Sequence, residues 1–305
     1  MNYSGMLIKM FIFAVLLTIG YIAAKKGILG SEFSKSTSWI LVNVYIASSI
    51  FNSVLGDRPK LPERELWMAL FMLSVTVLLL YIFGLVAARL FGNDGNLPQR
   101  LILMAVVNNL FVGLPVLQAL CGSEAVFYMG LSCVPYNLIL YSFGAWMLRR
   151  GKGNGSFSIK AFFTPSLVAA SLALIVFVAK IQMPVLVTDF FGTVSAATVP
   201  VSMILIGATI GSGSLSDAFR NRKILFLSLI KLVAVPVIAY MMLRYMTDNR
   251  TLLISCVVMA ACPSGILCTP LSVQYGYDPF ESSGTVMVST LLSIITIPAL
   301  VYFLF

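Results

Sequence analysis

Apolar residues in this chain are grouped in ten runs that are separated by short polar loops. The runs lie at about 6–24, 36–54, 66–88, 101–121, 125–148, 161–179, 190–211, 224–245, 251–275 and 281–303. A helix needs roughly 17 to 25 mostly apolar residues to cross about 30 Å of hydrocarbon. The pattern therefore predicts an all-α membrane protein with ten transmembrane helices.

The positions of the runs repeat along the chain. Moving the first five runs by 155 residues nearly reproduces the last five. We therefore predict two five-helix repeats, at 1–148 and 161–305, joined by a basic, Gly/Ser-rich cytoplasmic linker at 149–160. Because five is an odd number of crossings, the second repeat is expected to be inverted relative to the first.

Basic residues predict the orientation of the chain. One set of loops contains twelve of the 20 Lys and Arg residues, and the other set, together with the N-terminus, contains seven. Loops rich in Lys and Arg are cytoplasmic, so we expect both termini to be extracytoplasmic in the cell (inner) membrane. Lys25 and Lys26 follow the first run, which indicates a retained helix and not a cleaved signal peptide.

Composition narrows the functional classes. The chain is 59% hydrophobic and 10% charged, which excludes an ordinary soluble domain. Its net charge of +9 comes from the loops and leaves no patch for nucleic acid. The five cysteines lie in apolar segments without metal-ligand spacing, and the chain has no histidine. We find no motif for catalysis, nucleotide binding or a bound cofactor, so neither an enzyme nor an ATP-driven pump is expected.

Two of the predicted helices are interrupted by proline at matching positions. The 155-residue offset superimposes Pro115 in span four on Pro270 in span nine, and Gly113 and Gly265 lie nearby. Proline frees a carbonyl four residues earlier, and such irregular backbone is tolerated at membrane depth only inside protein or along a wet cavity. Half-helix N-termini favour an anion, whereas freed carbonyls favour a cation or water. Single prolines also kink membrane helices without any ligand, but the matched pair favours a binding site.

We therefore predict a substrate site at mid-membrane on the two broken helices. Its candidate residues are Asn108, Asn109, Gly113, Pro115, Ser264, Gly265, Thr269 and Pro270. Lys231 is the one ionisable residue deep inside a span, and two interpretations stay open: a structural role, by snorkelling or hydrogen bonding, or a role in coupling or near the substrate. Asn43 is a second candidate for coupling or support, and interhelical hydrogen bonding is the simpler explanation.

Four stretches resemble the auxin efflux carrier family, in particular its bacterial malate and organic-acid permeases. They are GYIAAKKGIL (20–29), NNLFVGLPV (108–116), VPVSMILIGATIG (199–211) and CPSG…P…QYG (262–276). The resemblance implies scaffold and transport domains, an X-shaped crossing of helices four and nine at their prolines, and elevator-like alternating access. It also implies that Asn109, near the proline of helix four, takes part in substrate binding, with its repeat mate Ser264 beside the proline of helix nine. The short linker is typical of the bacterial branch, and ASSIF (47–51) lacks a proline that many members have.

These features predict a secondary transporter, an exporter or permease, for a small organic anion such as a carboxylate. A ligand-binding membrane receptor or regulatory module without transport, and a channel, are the alternatives. We expect the substrate and the lipid bilayer as partners, and no nucleic acid. Sodium coupling, proton coupling and assembly as a homodimer are left open.

Overall fold

A computed structural model describes residues 3–55, 62–90, 95–152, 165–213 and 215–305. Within these ranges the regular structure consists of α-helices and short π-helical segments, with one isolated β-bridge. The all-α prediction is therefore confirmed for this part of the chain. Residues 153–160 of the predicted linker lie outside the described residues.

The described residues of the first half of the chain form eight α-helices. These are α1 (Tyr3–Lys25), α2 (Ser31–Ile40), α3 (Ala47–Asn52), α4 (Glu63–Leu90), α5 (Leu97–Ala105), α6 (Leu114–Cys121), α7 (Ser123–Ile139) and α8 (Ala145–Lys152). Three π-helical segments continue helices within this half, at Leu41–Ile46, Asn109–Gly113 and Leu140–Gly144.

The second half contains nine described α-helices. These are α9 (Pro165–Val178), α10 (Val185–Ala196), α11 (Thr198–Gly211), α12 (Leu215–Arg220), α13 (Arg222–Leu229), α14 (Val235–Leu243), α15 (Arg250–Ala261), α16 (Cys268–Gln274) and α17 (Pro279–Leu304). A π-helical segment at Ile230–Ala234 joins α13 to α14.

Among the described residues, five continuous helical stretches are long and apolar enough to cross a membrane. They are Arg64–Leu90, Ser123–Arg150, Val185–Gly211, Arg222–Leu243 and Pro279–Leu304, and shorter apolar helices occupy other predicted runs. The helices α5 and α15 have 9 and 12 residues. At 1.5 Å per residue they are only about 14 and 18 Å long, so neither crosses a bilayer alone. The interruption predicted in spans four and nine is therefore present, whereas the ten-span count and the inverted repeat stay predictions.

The chain forms two compact units. Unit 1 comprises Met1–Leu70, Leu110–Val134 and Phe163–Ser212, and unit 2 comprises Phe71–Asn109, Pro135–Phe162 and Gly213–Phe305. Each unit thus contains segments from both predicted repeats.

In unit 1, helices α1 and α11 pack closely because glycine lies between their backbones. A Cβ atom on Gly207 would lie 2.8 Å from the carbonyl carbon of Leu17, and one on Gly211 would lie 2.8 Å from the carbonyl oxygen of Tyr21. On α1, a Cβ on Gly20 would lie 2.9 Å from the carbonyl carbon of Ile204. Small residues that allow helix backbones to approach are the usual basis of helix association in membranes. Two of the four family-like stretches therefore form this helix pair.

Candidate functional site at the helix crossing of unit 2

The two interruptions lie ahead of the prolines that predicted them. Helix α5 ends at Ala105, and residues 106–108 are not helical before the chain continues as the π-helical segment from Asn109. Helix α15 ends at Ala261, and α16 begins only at Cys268. The expected break at Pro115 and Pro270 is therefore wrong in position. Pro270 lies in the first turn of α16, where the missing N–H has no intrahelical partner to lose. Pro115 is the second residue of α6, which continues directly from the π-helical segment Asn109–Gly113.

The two non-helical segments pair with each other through their backbones. The Asn108 N–H donates to the Pro263 carbonyl at 2.8 Å, and the Gly265 N–H donates to the Val106 carbonyl at 2.8 Å. Together they form an antiparallel bridge between Val107 and Ser264. Backbone groups buried away from water need partners, and each broken helix supplies them for the other. We call this pairing, at 106–108 and 262–265, the crossing.

Gly265 permits this close approach. A Cβ atom at this position would lie 3.0 Å from Cγ1 of Val106 and 3.3 Å from the carbonyl oxygen of Val107. The predicted importance of Gly265 thus has a structural cause that differs from helix flexibility, because the glycine lets two backbones meet.

Lys231 is joined to the crossing by three hydrogen bonds. Its Nζ donates to the carbonyl oxygens of Leu103 at 2.9 Å, Met104 at 2.7 Å and Val106 at 3.3 Å. The side chain is fully buried, so it does not snorkel to an interface. The last carbonyls of a helix have no intrahelical partner and carry a partial negative charge. Lys231 satisfies these groups at the end of α5, which is the hydrogen-bonding role left open above.

Other carbonyls near the breaks are also engaged. Ser264 Oγ donates to the Leu103 carbonyl at 2.6 Å, and Tyr136 Oη donates to the Val107 carbonyl at 3.2 Å. The Met259 carbonyl, four residues before Pro263, accepts the Cys262 N–H at 3.3 Å. These three carbonyls near the breaks are thus hydrogen-bonded to protein groups.

Comparison with known proteins agrees with this architecture. A family model described as membrane transport protein matches residues 6–301. The chain belongs to this family of auxin efflux carrier-type membrane transporters. A protein of Methanothermobacter thermautotrophicus, described as an uncharacterized transporter, is 28% identical over 291 residues, which cover 93% of each chain. The family resemblance inferred from four short stretches is confirmed.

One polar group at the crossing of this transporter lacks a partner. Asn108 is 3% exposed, and its Nδ2 has no hydrogen-bond partner among the described residues. Leaving a buried amide donor unsatisfied costs about 1 to 3 kcal/mol, which a ligand oxygen can recover. Asn109 is buried as well, at 4% exposure, and it makes interactions of its own. Asn108 is therefore the better placed of the two asparagines to bind a ligand.

Ser264 holds the crossing together. Its hydroxyl donates to Leu103, and its backbone N–H donates to the Ser289 hydroxyl at 3.0 Å. Sequence reasoning missed Ser289, Tyr136 and the accepting carbonyls, because small polar residues are common in membrane spans and backbone acceptors leave no mark in a sequence.

The remaining candidates are distributed over both units. Thr269 and Pro270 belong to α16 in unit 2, and Thr269 is half-buried. Gly113 and Pro115 are buried in unit 1, where α6 begins. Asn43, also in unit 1, donates to the Trp39 carbonyl of its own helix at 2.7 Å, so the interhelical hydrogen bond expected for it is not the bond that the structure shows.

The other end of α5 is also anchored within unit 2. Arg100, which is 1% exposed, forms an ion pair with Glu281 of α17 with an N–O distance of 2.7 Å. Gln99 Nε2 donates to the Asp278 carbonyl at 2.6 Å. Both ends of α5 are therefore held by side chains from distant parts of the sequence.

The described residues contain no group of His, Cys, Asp and Glu side chains that could bind a metal ion. The crossing contains backbone carbonyls, a serine hydroxyl and an asparagine, and the Lys231 ammonium bonds to it. An arrangement of this kind is suited to recognising a ligand by hydrogen bonds and charge.

Proposed function

We propose that this protein is a secondary transporter of a small organic anion such as a carboxylate, and that its substrate binds at the crossing. The observation that carries the proposal is the buried side-chain Nδ2 of Asn108, which has no hydrogen-bond partner among the described residues. Asn108 lies next to the bridge between Val107 and Ser264, and its backbone N–H donates to the Pro263 carbonyl. Family membership supports transport as the activity.

Charge at the crossing favours an anion. Lys231 is a buried basic residue at the end of α5, and the described ion pairs of the chain include none for it. A carboxylate accepts hydrogen bonds and offers no donor when ionised, which matches the free donor of Asn108. A cationic substrate would instead meet the lysine ammonium in a region of low dielectric, where like charges repel strongly.

We further propose that unit 2 is the transport domain and unit 1 the scaffold. Unit 2 contains the whole crossing, including the lysine that closes the end of α5. The glycine-rich packing of α1 against α11 would give unit 1 a rigid core. Elevator-like alternating access then follows if unit 2 carries the bound anion across the membrane.

The test is uptake by purified protein in liposomes. Uptake of radiolabelled dicarboxylates and monocarboxylates is compared among the wild type, Asn108→Ala, Asn109→Ala and a control, Ser171→Ala. In the described structure the Ser171 hydroxyl bonds only within α9. We expect saturable uptake by the wild type and the control, and a loss of at least tenfold for Asn108→Ala. Full uptake by Asn108→Ala would refute the site.

The alternatives give different results in the same preparation. A receptor would be stabilised by the carboxylate without flux, and a channel would show conductance that does not saturate like carrier uptake. Alternating access is tested with Asn108→Cys in a Cys121→Ser background. We expect the new thiol to react with membrane-impermeant reagents added from either side of the membrane. Access from one side under all conditions would contradict the elevator.

A further inference from the structure

We propose that the Lys231 ammonium is a tethered cation that fills a carbonyl site which would otherwise bind a free monovalent cation. The site consists of the carbonyl oxygens of Leu103, Met104 and Val106. The inference deepens the proposed function, because it implies that anion transport does not use sodium bound at this place. Its central test needs no transport.

The hydrogen bonds identify the charged form of the lysine. Nζ contacts three acceptors, at 2.7, 2.9 and 3.3 Å, and all are carbonyl oxygens that cannot donate. An ammonium group has three N–H bonds, whereas a neutral amine has only two and would direct a lone pair at an acceptor. Three carbonyl contacts of this kind match the ammonium form.

The ligand set is one that monovalent cations use. Unwound backbone carbonyls and the C-terminal ends of half-helices coordinate sodium in transporters with broken helices. Here Leu103 and Met104 belong to the last turn of α5, and Val106 is the first residue of the unwound segment. The partial negative charge of the helix end adds to the attraction. The Lys231 side chain occupies this position from the neighbouring π-helical segment Ile230–Ala234.

The corresponding position of the first predicted repeat has no charge. The 155-residue offset relates Lys231 to Thr76, whose hydroxyl donates to the Met72 carbonyl of its own helix at 2.8 Å. At the end of α15 the Met259 carbonyl is served by a backbone N–H. A built-in cation therefore marks one broken helix and not the other, so the lysine is not a general requirement for closing such a helix.

Removing the ammonium should open the site to small cations. The experiment is thermal unfolding of purified protein in choline chloride, with sodium, potassium, ammonium or methylammonium chloride replacing choline at constant ionic strength. The variants are Lys231→Ala, which leaves the volume of the lysine side chain empty, and Lys231→Met, which fills most of that volume without a charge. Lys223→Ala, an exposed lysine of α13, is the matched control.

We expect the wild type and Lys223→Ala to unfold at the same temperature with every cation. Lys231→Ala should unfold at a lower temperature in choline and recover with at least one small cation, and its Tm should rise with the logarithm of cation concentration. Lys231→Met should be destabilised without recovery. These results would also distinguish cation binding from a purely structural bond, which no added ion restores.

Two results would overturn the inference. One is a Lys231→Ala Tm that responds to small cations no more than that of Lys223→Ala. The other is a Lys231→Met protein as stable as the wild type, and this arm decides the matter even if Lys231→Ala does not fold. Failure of the proposed function would look different, since the cation responses would persist in a protein that moves no carboxylate.

Discussion

Replacing Gly207 with alanine introduces a methyl group between two helix backbones in unit 1. The new Cβ would lie 2.8 Å from the Leu17 carbonyl carbon and 2.9 Å from the Tyr21 nitrogen, and it would be closer still to the Leu17 carbonyl oxygen. Ordinary contact begins at 3.4 Å, and all three atoms are backbone atoms that no rotamer change can move. Helix α1 must therefore shift away from α11.

The size of the effect follows from two opposing terms. Overpacking that forces a backbone shift costs typically about 1 to 3 kcal/mol. Alanine is a better helix former than glycine by about 0.5 to 1 kcal/mol, which offsets part of this cost. We expect a net destabilisation of about 1 to 2 kcal/mol for Gly207→Ala.

Gly192 of α10 provides a control with the opposite sign. A Cβ at Gly192 would meet only Asn52 Oδ1, at 3.9 Å, so Gly192→Ala gains helix propensity without a clash. Thermal unfolding of both variants in one detergent measures the difference, and Gly207→Ala should have the lower Tm. Equal Tm values for the two variants would refute the predicted packing of α1 on α11.

Two further predictions concern the anchoring of helices in unit 2. Replacing Glu281 with glutamine leaves the buried Arg100 guanidinium without its carboxylate, and breaking a buried pair in this way costs about 3 to 5 kcal/mol. In thermal unfolding, the double variant Arg100→Met/Glu281→Gln should be more stable than Glu281→Gln alone. A Glu281→Gln protein with the wild-type Tm would contradict this account. Burial raises the pKa of Tyr277 to about 12, while its hydroxyl donates to the Leu148 carbonyl. Because the folded state holds this proton more tightly than the unfolded state, the contribution to stability is full below pH 10 and is lost as pH rises toward 12. Tyr277→Phe should therefore show a shallower loss of stability over that range in alkaline denaturation, and identical profiles would count against it.

The hydropathy pattern alone determined that this is an all-α membrane protein with two interrupted helices. Transfer of a side chain from water to hydrocarbon is a property of that residue and its neighbours, so a run of apolar residues predicts a span without knowledge of the fold. Proline acts locally too, and Pro115 and Pro270 correctly indicated which helices are broken. Four short stretches were enough to indicate the family.

Tertiary structure alone decided where the helices end and what their free groups bind. Proline constrains only the backbone next to it, so Pro115 and Pro270 could not reveal that the breaks lie several residues before them. Lys231 bonds Leu103 and Met104 across more than a hundred residues, and a backbone carbonyl is the same chemical group at every position of the sequence. Packing, and not local pattern, decides which carbonyl a buried ammonium meets. Packing also leaves Asn108 Nδ2 without a partner among the described residues.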